Sequence, residues 1–233
     1  MSIQQSLEHT GRTFDTVRIR RYLVNGKAST KNELAAQPFI VAGTDLPDEG
    51  TAYGFANEES LCRWAAGSRH ADRFARAIGT MKLAQQLEGT AIGERAVKRS
   101  EAYVKRLTAD LEELSKETGL AIGTPEFLVE AAIHRSAIEP PLFDPTLLFD
   151  KVVDPGLPPV FGGVFFPVAA SIPIPTFFGF NDKASGALVL GLCTLFDKTF
   201  FRGQTAFLFA TGPIRFVLSD IAFDNRAASG IAT

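Results

Sequence analysis

The 233-residue chain is poor in the residues that most often carry covalent or metal chemistry: it has two cysteines and three histidines. Cys62 and Cys193 lie in segments of different character, so no disulfide framework is expected, and both thiols read as small buried hydrophobes. His9, His70 and His134 are not spaced with one another, or with a cysteine, as a zinc site demands. Cys62 and His70 are too far apart on a helix to face each other on consecutive turns, which argues against a thiol–imidazole pair. No Walker A loop, G-x-G-x-x-G run or G-x-S-x-G elbow occurs. A formal charge of −2 supplies no electrostatic reason for nucleic acid or an anionic membrane as partner. The arginines of "RIRR" and those at 63, 69, 73 and 76 read as a solvated surface. The stretch "MSIQQSLEHTGRTFDTVRIRRY" has no apolar core of the length a secretion signal needs. The default expectation is a cytoplasmic protein, with release by another route left open.

What the chain does have is unevenly distributed. Fifteen of its 20 phenylalanines follow residue 140, and its last glutamate is Glu139. The junction "AIEPPLFDP" places Pro140, Pro141 and Pro145 where they block helix and stiffen a linker. The composition therefore predicts an α+β protein: a mixed domain over 1–139, largely helical after 57, then an all-β domain over 145–233.

In the first segment, 15–24 alternates as a strand and Asn25-Gly26 is a hairpin turn. Short strands are expected at 38–43 and 51–55. Asn57 is a candidate N-cap for a helix, followed by helical stretches over 71–78 and 81–87. The longest helix is expected over about 94–117, ending at Thr118-Gly119, and a last one over 126–135. Val97, Val104, Leu107, Leu111 and Leu114 fall on one stripe of the long helix. That stripe suits packing within its own domain; Ser100 at a heptad position argues against a coiled coil between two copies.

In the second segment, residues 156–180 carry no charge. Five prolines in that stretch exclude an ordinary transmembrane helix and favour buried strands and loops.

The second segment also repeats itself. "LFDK" occurs at 148–151 and at 195–198, and "FNDKASG" (180–186) is echoed by "FDNRAAS" (223–229). Each pair opens and closes a unit of roughly 45 residues, an internal duplication. Phe196, Phe201 and Gly203 form an aromatic-x-x-x-x-aromatic-x-Gly pattern, matched in the first unit by Phe149 and Gly156, with Asp154 at the second aromatic position.

With these marks the stretch 145–233 resembles the βγ-crystallin family, in its calcium-binding microbial branch. The resemblance implies two stacked Greek-key units in a sandwich, and two [ND]-[ND]-x-x-[ST]-S turns that serve two calcium sites reciprocally. Carried onto this sequence, the side-chain donors are Asn181, Asp182, Ser185, Asp224, Asn225 and Ser229. Lys183 and Arg226 donate mid-turn carbonyls, and Asp150 and Asp197 donate hairpin carbonyls. Gly186 stands where the first turn should have its last serine. Ala228 stands at a hydroxyl position of the second turn and has no oxygen to offer. The implied outcome is one competent Ca2+ site, built on Ser185 with Asp224 and Asn225, and one impaired by Ala228. The plainer account of such turns is that Asp, Asn and Ser side chains bond to nearby backbone.

The function this suggests is non-enzymatic: a calcium-binding structural or interaction protein, with a protein partner or self-association open. The implied fold also hosts protease inhibitors and toxin components, so a target-binding protein of that type is the alternative. An enzyme working in the first segment would call for a polar pocket lined by Arg73, Glu94 or Glu101.

Overall fold

The computed structural model describes residues 16–44, 46–48, 50–136, 146–153, 160–168 and 174–232. In chain order the strands are β1 (Thr16–Val17), β2 (Arg21–Val24), β3 (Lys27–Ala28), β4 (Phe39–Gly43), β5 (Thr51–Phe55), β6 (Thr146–Val153), β7 (Val160–Val168), β8 (Gly186–Lys198), β9 (Arg202–Val217) and β10 (Ser229–Ala232). The helices are α1 (Lys31–Ala35), α2 (Glu58–Ala66), α3 (Ala71–Gln85), α4 (Ala91–Thr118) and α5 (Pro125–Ser136). The architecture is α+β, with one large mixed sheet in the order β3-β2-β5-β4-β9-β8-β6-β7. β1 joins it on β9 and β10 on β8.

Local chemistry explains most of the boundaries. Asn25 and Gly26 both have positive φ, the backbone that a tight hairpin between β2 and β3 requires. Asn57 caps α2 by accepting from the Ser60 N–H at 2.9 Å. Thr90 caps α4 by accepting from Gly93, and left-handed Gly119 ends it. α1 was not anticipated; it is held by a reciprocal capping box between Thr30 and Glu33. The two helices expected over 71–78 and 81–87 are one, α3. Gly79 lies in open space within it, and burial of Phe74, Ala77, Ile78, Met81 and Ala84 along one face outweighs the glycine.

The strand expected over 15–24 is two strands with different partners. Thr16 and Val17 run parallel to Arg215 and Phe216 of β9, whereas Arg21–Val24 runs parallel to β5. Between them the backbone N–H groups of Arg20 and Arg21 donate to the Gly50 carbonyl, and Ile19 N–H donates to Asp220. Alternation in sequence cannot show a change of partner.

The proline-rich junction at 140–145 lies outside the described residues, but the strands on either side of it share one sheet. β4 runs parallel to β9, pairing Phe39–Gly43 with Thr205–Phe209. What composition divides, hydrogen bonding joins.

β8 and β9 form the central hairpin. Along its other edge β8 pairs first with β6, through residues 186–188, and then with β10, through residues 193–196. The β8–β9 register shifts between Val189 and Gly191, dividing the hairpin into two halves. Alternating residues supply separate layers. Ala187, Val189, Cys193 and Leu195 of β8 join Ala206, Leu208 and Phe216 of β9 in an inner core with Phe177, Phe180 and Phe223. Leu192, Phe196, Phe207 and Phe209 face α2 and α3, packing on Leu61, Phe74 and Met81. Leu147, Phe149, Leu188 and Val217 meet Leu107, Leu111 and Leu114 of α4 and Phe127 of α5. The apolar stripe of α4 is therefore spent on its own sheet. Ser100 in that helix bonds back to the carbonyls of Ala96 and Val97.

Of the two cysteines, Cys193 is buried, and burial pushes its thiol up to about 12. Cys62 is exposed, contrary to expectation. The buried face of α2 is made by Leu61 and Ala65, one turn apart, and the position after Leu61 is rotated about 100° away from it. Among the described residues no helix is long and apolar enough to cross a membrane.

At the start of α3, His70 packs against Phe209 with ring centroids 3.9 Å apart and the planes tilted by 33°. Burial lowers its pKa below the ordinary histidine value of 6.5, and the charges of Arg69 and Arg73 add to the effect. The unfolded chain therefore takes up this proton before the folded one does. Stability from neutral His70 is complete above about pH 6.5 and is lost as the pH falls below it. Melting temperatures between about pH 7.5 and 5 should show this fall, and His70→Phe should make it shallower. An identical profile in the variant would remove His70 as its cause.

Candidate functional site

The repeated turns meet across a local pseudo-twofold. Ser185 N–H donates to the Phe149 carbonyl at 2.8 Å, and Ala228 N–H donates to the Phe196 carbonyl at 2.8 Å. Asp182 N–H donates to the Ala227 carbonyl at 3.0 Å, and Asn225 N–H donates to the Ala184 carbonyl at 2.9 Å. Each turn thus hydrogen-bonds to the other through corresponding atoms. Asp182 and Asn225, at matching positions, both take left-handed φ, +57° and +52°. Asp and Asn tolerate that conformation better than most side chains.

The hairpins that open each repeat show the same correspondence. The Asp150 carboxylate accepts from Val164 N–H at 2.8 Å, and the Asp197 carboxylate accepts from Gln204 N–H at 2.7 Å. Gly203, at φ +79°, sits where an added Cβ would lie 1.8 Å from Asp197 Oδ1. The glycine of the aromatic-x-x-x-x-aromatic-x-Gly pattern is thereby explained by contact as well as by conformation. Asp154 and Gly156, the corresponding marks of the first unit, lie outside the described residues.

On one side of the pseudo-twofold, Ser185 Oγ donates to Asn225 Oδ1 at 3.2 Å, although 40 positions separate them. Asp224 is next to Asn225 and accepts from its amide at 3.3 Å. Both residues are exposed and Ser185 is half-buried. A hydroxyl, an amide oxygen and a carboxylate are brought to one solvent-facing spot. On the other side Asp182 is exposed, the methyl of Ala228 replaces the hydroxyl, and Asn181 Oδ1 is engaged by Phe177 N–H at 3.0 Å.

The two cationic side chains of the turns are held within their own loops. Lys183 Nζ donates to the Gly179 carbonyl at 2.6 Å, and Arg226 donates to the Ala222 carbonyl at 3.3 Å. Arg226 goes further: its guanidinium lies over the Phe223 ring and pairs with Asp197 at 2.9 Å. This ion pair was missed in the sequence. Its signal was there, since both residues stand at matching marks of the second repeat.

Ser229 sits apart from the other candidates. Fully buried, its hydroxyl donates to the Lys198 carbonyl at 2.7 Å and accepts from Phe201 N–H at 3.2 Å. It pins the 3-10 turn at 199–201 rather than facing the other turn.

Nearby, Asp220 accepts from Arg18 Nε at 2.9 Å and from Ile19 N–H at 3.3 Å, tying the start of the described chain to the loop that leads into the second turn. No sequence feature marked it. The cavity of about 400 Å³ between α4 and β6–β7 is lined by Thr108, Glu112, Ile122, Phe149, Val164 and Phe165, and Arg73, Glu94 and Glu101 are not among its walls. Among the described residues no three of His, Cys, Asp and Glu cluster as a metal site.

No family model matches the chain, and no curated protein matches it either. Among solved structures, a βγ-crystallin from an archaeon is similar to it at 19% identity and a TM-score of 0.31, covering 39% of this chain and 98% of that one.

Proposed function

We infer that the chain is a non-enzymatic calcium-binding protein of structural or interaction type, with its ion at the Ser185–Asp224–Asn225 side of the paired turns. The contact between Ser185 Oγ and Asn225 Oδ1 carries this reading. Two uncharged oxygens at that distance, beside a carboxylate, suit a hard cation that takes oxygen ligands at roughly 2.3–2.6 Å. Backbone carbonyls of Arg226 and Asp150 are the further donors this reading assigns, with water completing the shell. The Ala228 side offers no hydroxyl, so a single site of useful affinity is expected.

Asp224 is the only carboxylate in the donor set, and calcium affinity follows ligand charge. The affinity should therefore fall near the weak end, at about 0.1–1 mM. Calcium at roughly ten to a hundred times the dissociation constant should add about 1.4–2.7 kcal/mol of stability. For a chain of this size that corresponds to a rise of roughly 3–10 °C in Tm. Calorimetric titration and thermal melts after chelation test both figures. No heat and no shift in Tm with calcium raised to about 10–100 mM would end the proposal.

A further inference from the structure

We propose that the corner joining α3 to α4 is a docking site for an anionic lipid membrane. Its apolar tip enters the headgroup layer, and the bases around it meet lipid phosphates. The chain's total of −2 conceals the charge separation behind this. Residues 69–106, spanning α3 and the first half of α4, carry nine bases and four acids, a formal +5. The remaining residues of α4 carry Lys116 against Asp110, Glu112, Glu113 and Glu117.

The tip is aliphatic. Leu83 is 68% exposed and Ile92 57%, two of the four large apolar side chains left in solvent among the described residues. Nine positions separate them, and half-buried Leu87 stands between. The turn is tight: Thr90 N–H donates to the Leu87 carbonyl at 3.1 Å, and an added Cβ on Gly93 would meet that oxygen at 2.0 Å. The buried face of α3 is made by Phe74, Ala77, Ile78, Met81 and Ala84. Leu83 lies about 180° from the middle of that face, where a helix in water ordinarily carries a polar side chain. The protein's own core does not use it.

Around the tip the unpaired charges are predominantly positive. Among the described residues Arg76, Arg95, Lys98 and Arg99 are exposed and make no ion pair, and Asp72 and Glu94 are the unpaired acids of the same stretch. The other acids of the corner are neutralised: Glu58 holds Lys82 at 2.6 Å, and Glu88 holds Arg202. Arg76 lies two turns before Leu83 on the outward stripe of α3, and Arg95, Lys98 and Arg99 follow Ile92 within two turns. A layer of anionic headgroups rewards both features at once. Aliphatic side chains leave water at the acyl boundary, and bases gain from the negative surface potential. A nucleic acid would reward the bases and leave the tip in water. A second copy would set like charge against like. The acidic half of α4 is repelled by the same surface, which sets the end of the helix that faces it.

The test is co-sedimentation of the full chain with vesicles in chelator, so that calcium bridging plays no part and the outcome is independent of the calcium site. The chain should bind vesicles of phosphatidylcholine with about 40% phosphatidylserine in about 0.1 M salt. Its affinity should fall about tenfold or more for pure phosphatidylcholine, or in about 0.5 M salt. Arg95→Gln/Lys98→Gln/Arg99→Gln should weaken binding about tenfold or more. Leu83→Gln/Ile92→Gln should weaken it as well, although every charge is kept. All five positions are exposed, so the Tm of both variants should stay within about 3 °C of the wild type, which separates lost docking from misfolding. Ile92→Trp should bind as the wild type does and be quenched by lipids brominated on their acyl chains, beyond any quenching of the wild type. No binding to the anionic vesicles, undiminished binding by either multiple variant, or an Ile92→Trp signal that brominated lipid leaves unchanged would each overturn the proposal. So would equally tight binding of duplex DNA that Leu83→Gln/Ile92→Gln leaves unaltered, since the corner would then be a phosphate-backbone contact alone.

Discussion

Gly203→Ala is expected to destabilise the protein by about 3–5 kcal/mol, through left-handed strain, overpacking and a disturbed, partly buried hydrogen bond. The residue has φ +79°, and the new Cβ would lie 1.8 Å from Asp197 Oδ1 and 3.0 Å from its Cγ. A flexible side chain could swing away at little cost. This one is held at both oxygens, by Gln204 N–H at 2.7 Å and by the Arg226 guanidinium at 2.9 Å. Moving it breaks the hairpin contact and the ion pair together. In chemical denaturation the loss should appear as a lower midpoint with an unchanged slope. Combined with Asp197→Ala, the glycine substitution should cost less than the two separate effects added, since one route of damage is shared. Gly212→Ala is the control, because a methyl group there meets nothing within 4 Å. A loss of less than about 1 kcal/mol for Gly203→Ala would show that the hairpin is not held as described.

Ser185→Ala should abolish most of the calcium-dependent rise in Tm while changing the stability of the calcium-free protein by less than about 1 kcal/mol. In the calcium-free state the hydroxyl makes one half-exposed contact with Asn225, whose amide also reaches solvent. In the calcium-bound state proposed above, the same oxygen is a ligand with no substitute nearby. Ser229→Ala should do the reverse. Its buried hydroxyl serves the Lys198 carbonyl and the Phe201 N–H, so removing it should cost about 1–3 kcal/mol and leave the calcium response intact. The pair separates a ligand from a structural hydroxyl by opposite signatures in one melting experiment. Loss of the calcium response in Ser229→Ala with its retention in Ser185→Ala would transfer the site to the other turn.

The duplicated marks were legible because each has a local cause. Asp182 and Asn225 occupy left-handed positions that few residues tolerate, Gly203 leaves room for a carboxylate, and Asn57 and Thr90 cap helices. The α4 stripe was legible for the same reason, since a period of 3.6 residues is a property of the helix itself. Ser229 was misplaced because its pattern position says nothing of depth. Burial and the carbonyl of Lys198 decide what that hydroxyl does. Cys62 was misjudged as buried because a small apolar residue beside Leu61 reads as core until the rotation of α2 is known.

Composition, periodicity and turn chemistry by themselves determined that the chain is α+β, that its second half is built twice, and which oxygens stand in its turns. Tertiary structure alone decided that β4 lies along β9, so that segments of opposite composition share a sheet. It also decided that Ser185 and Asn225 touch, that Arg226 spends its charge on Asp197, and that the charged face of α4 is the one left outward. The reason is one of range. Capping, turn and helix preferences act over a few neighbouring residues and leave their mark in sequence order. The pairing of two strands, or of two loops 40 positions apart, depends on which surfaces the whole chain buries together.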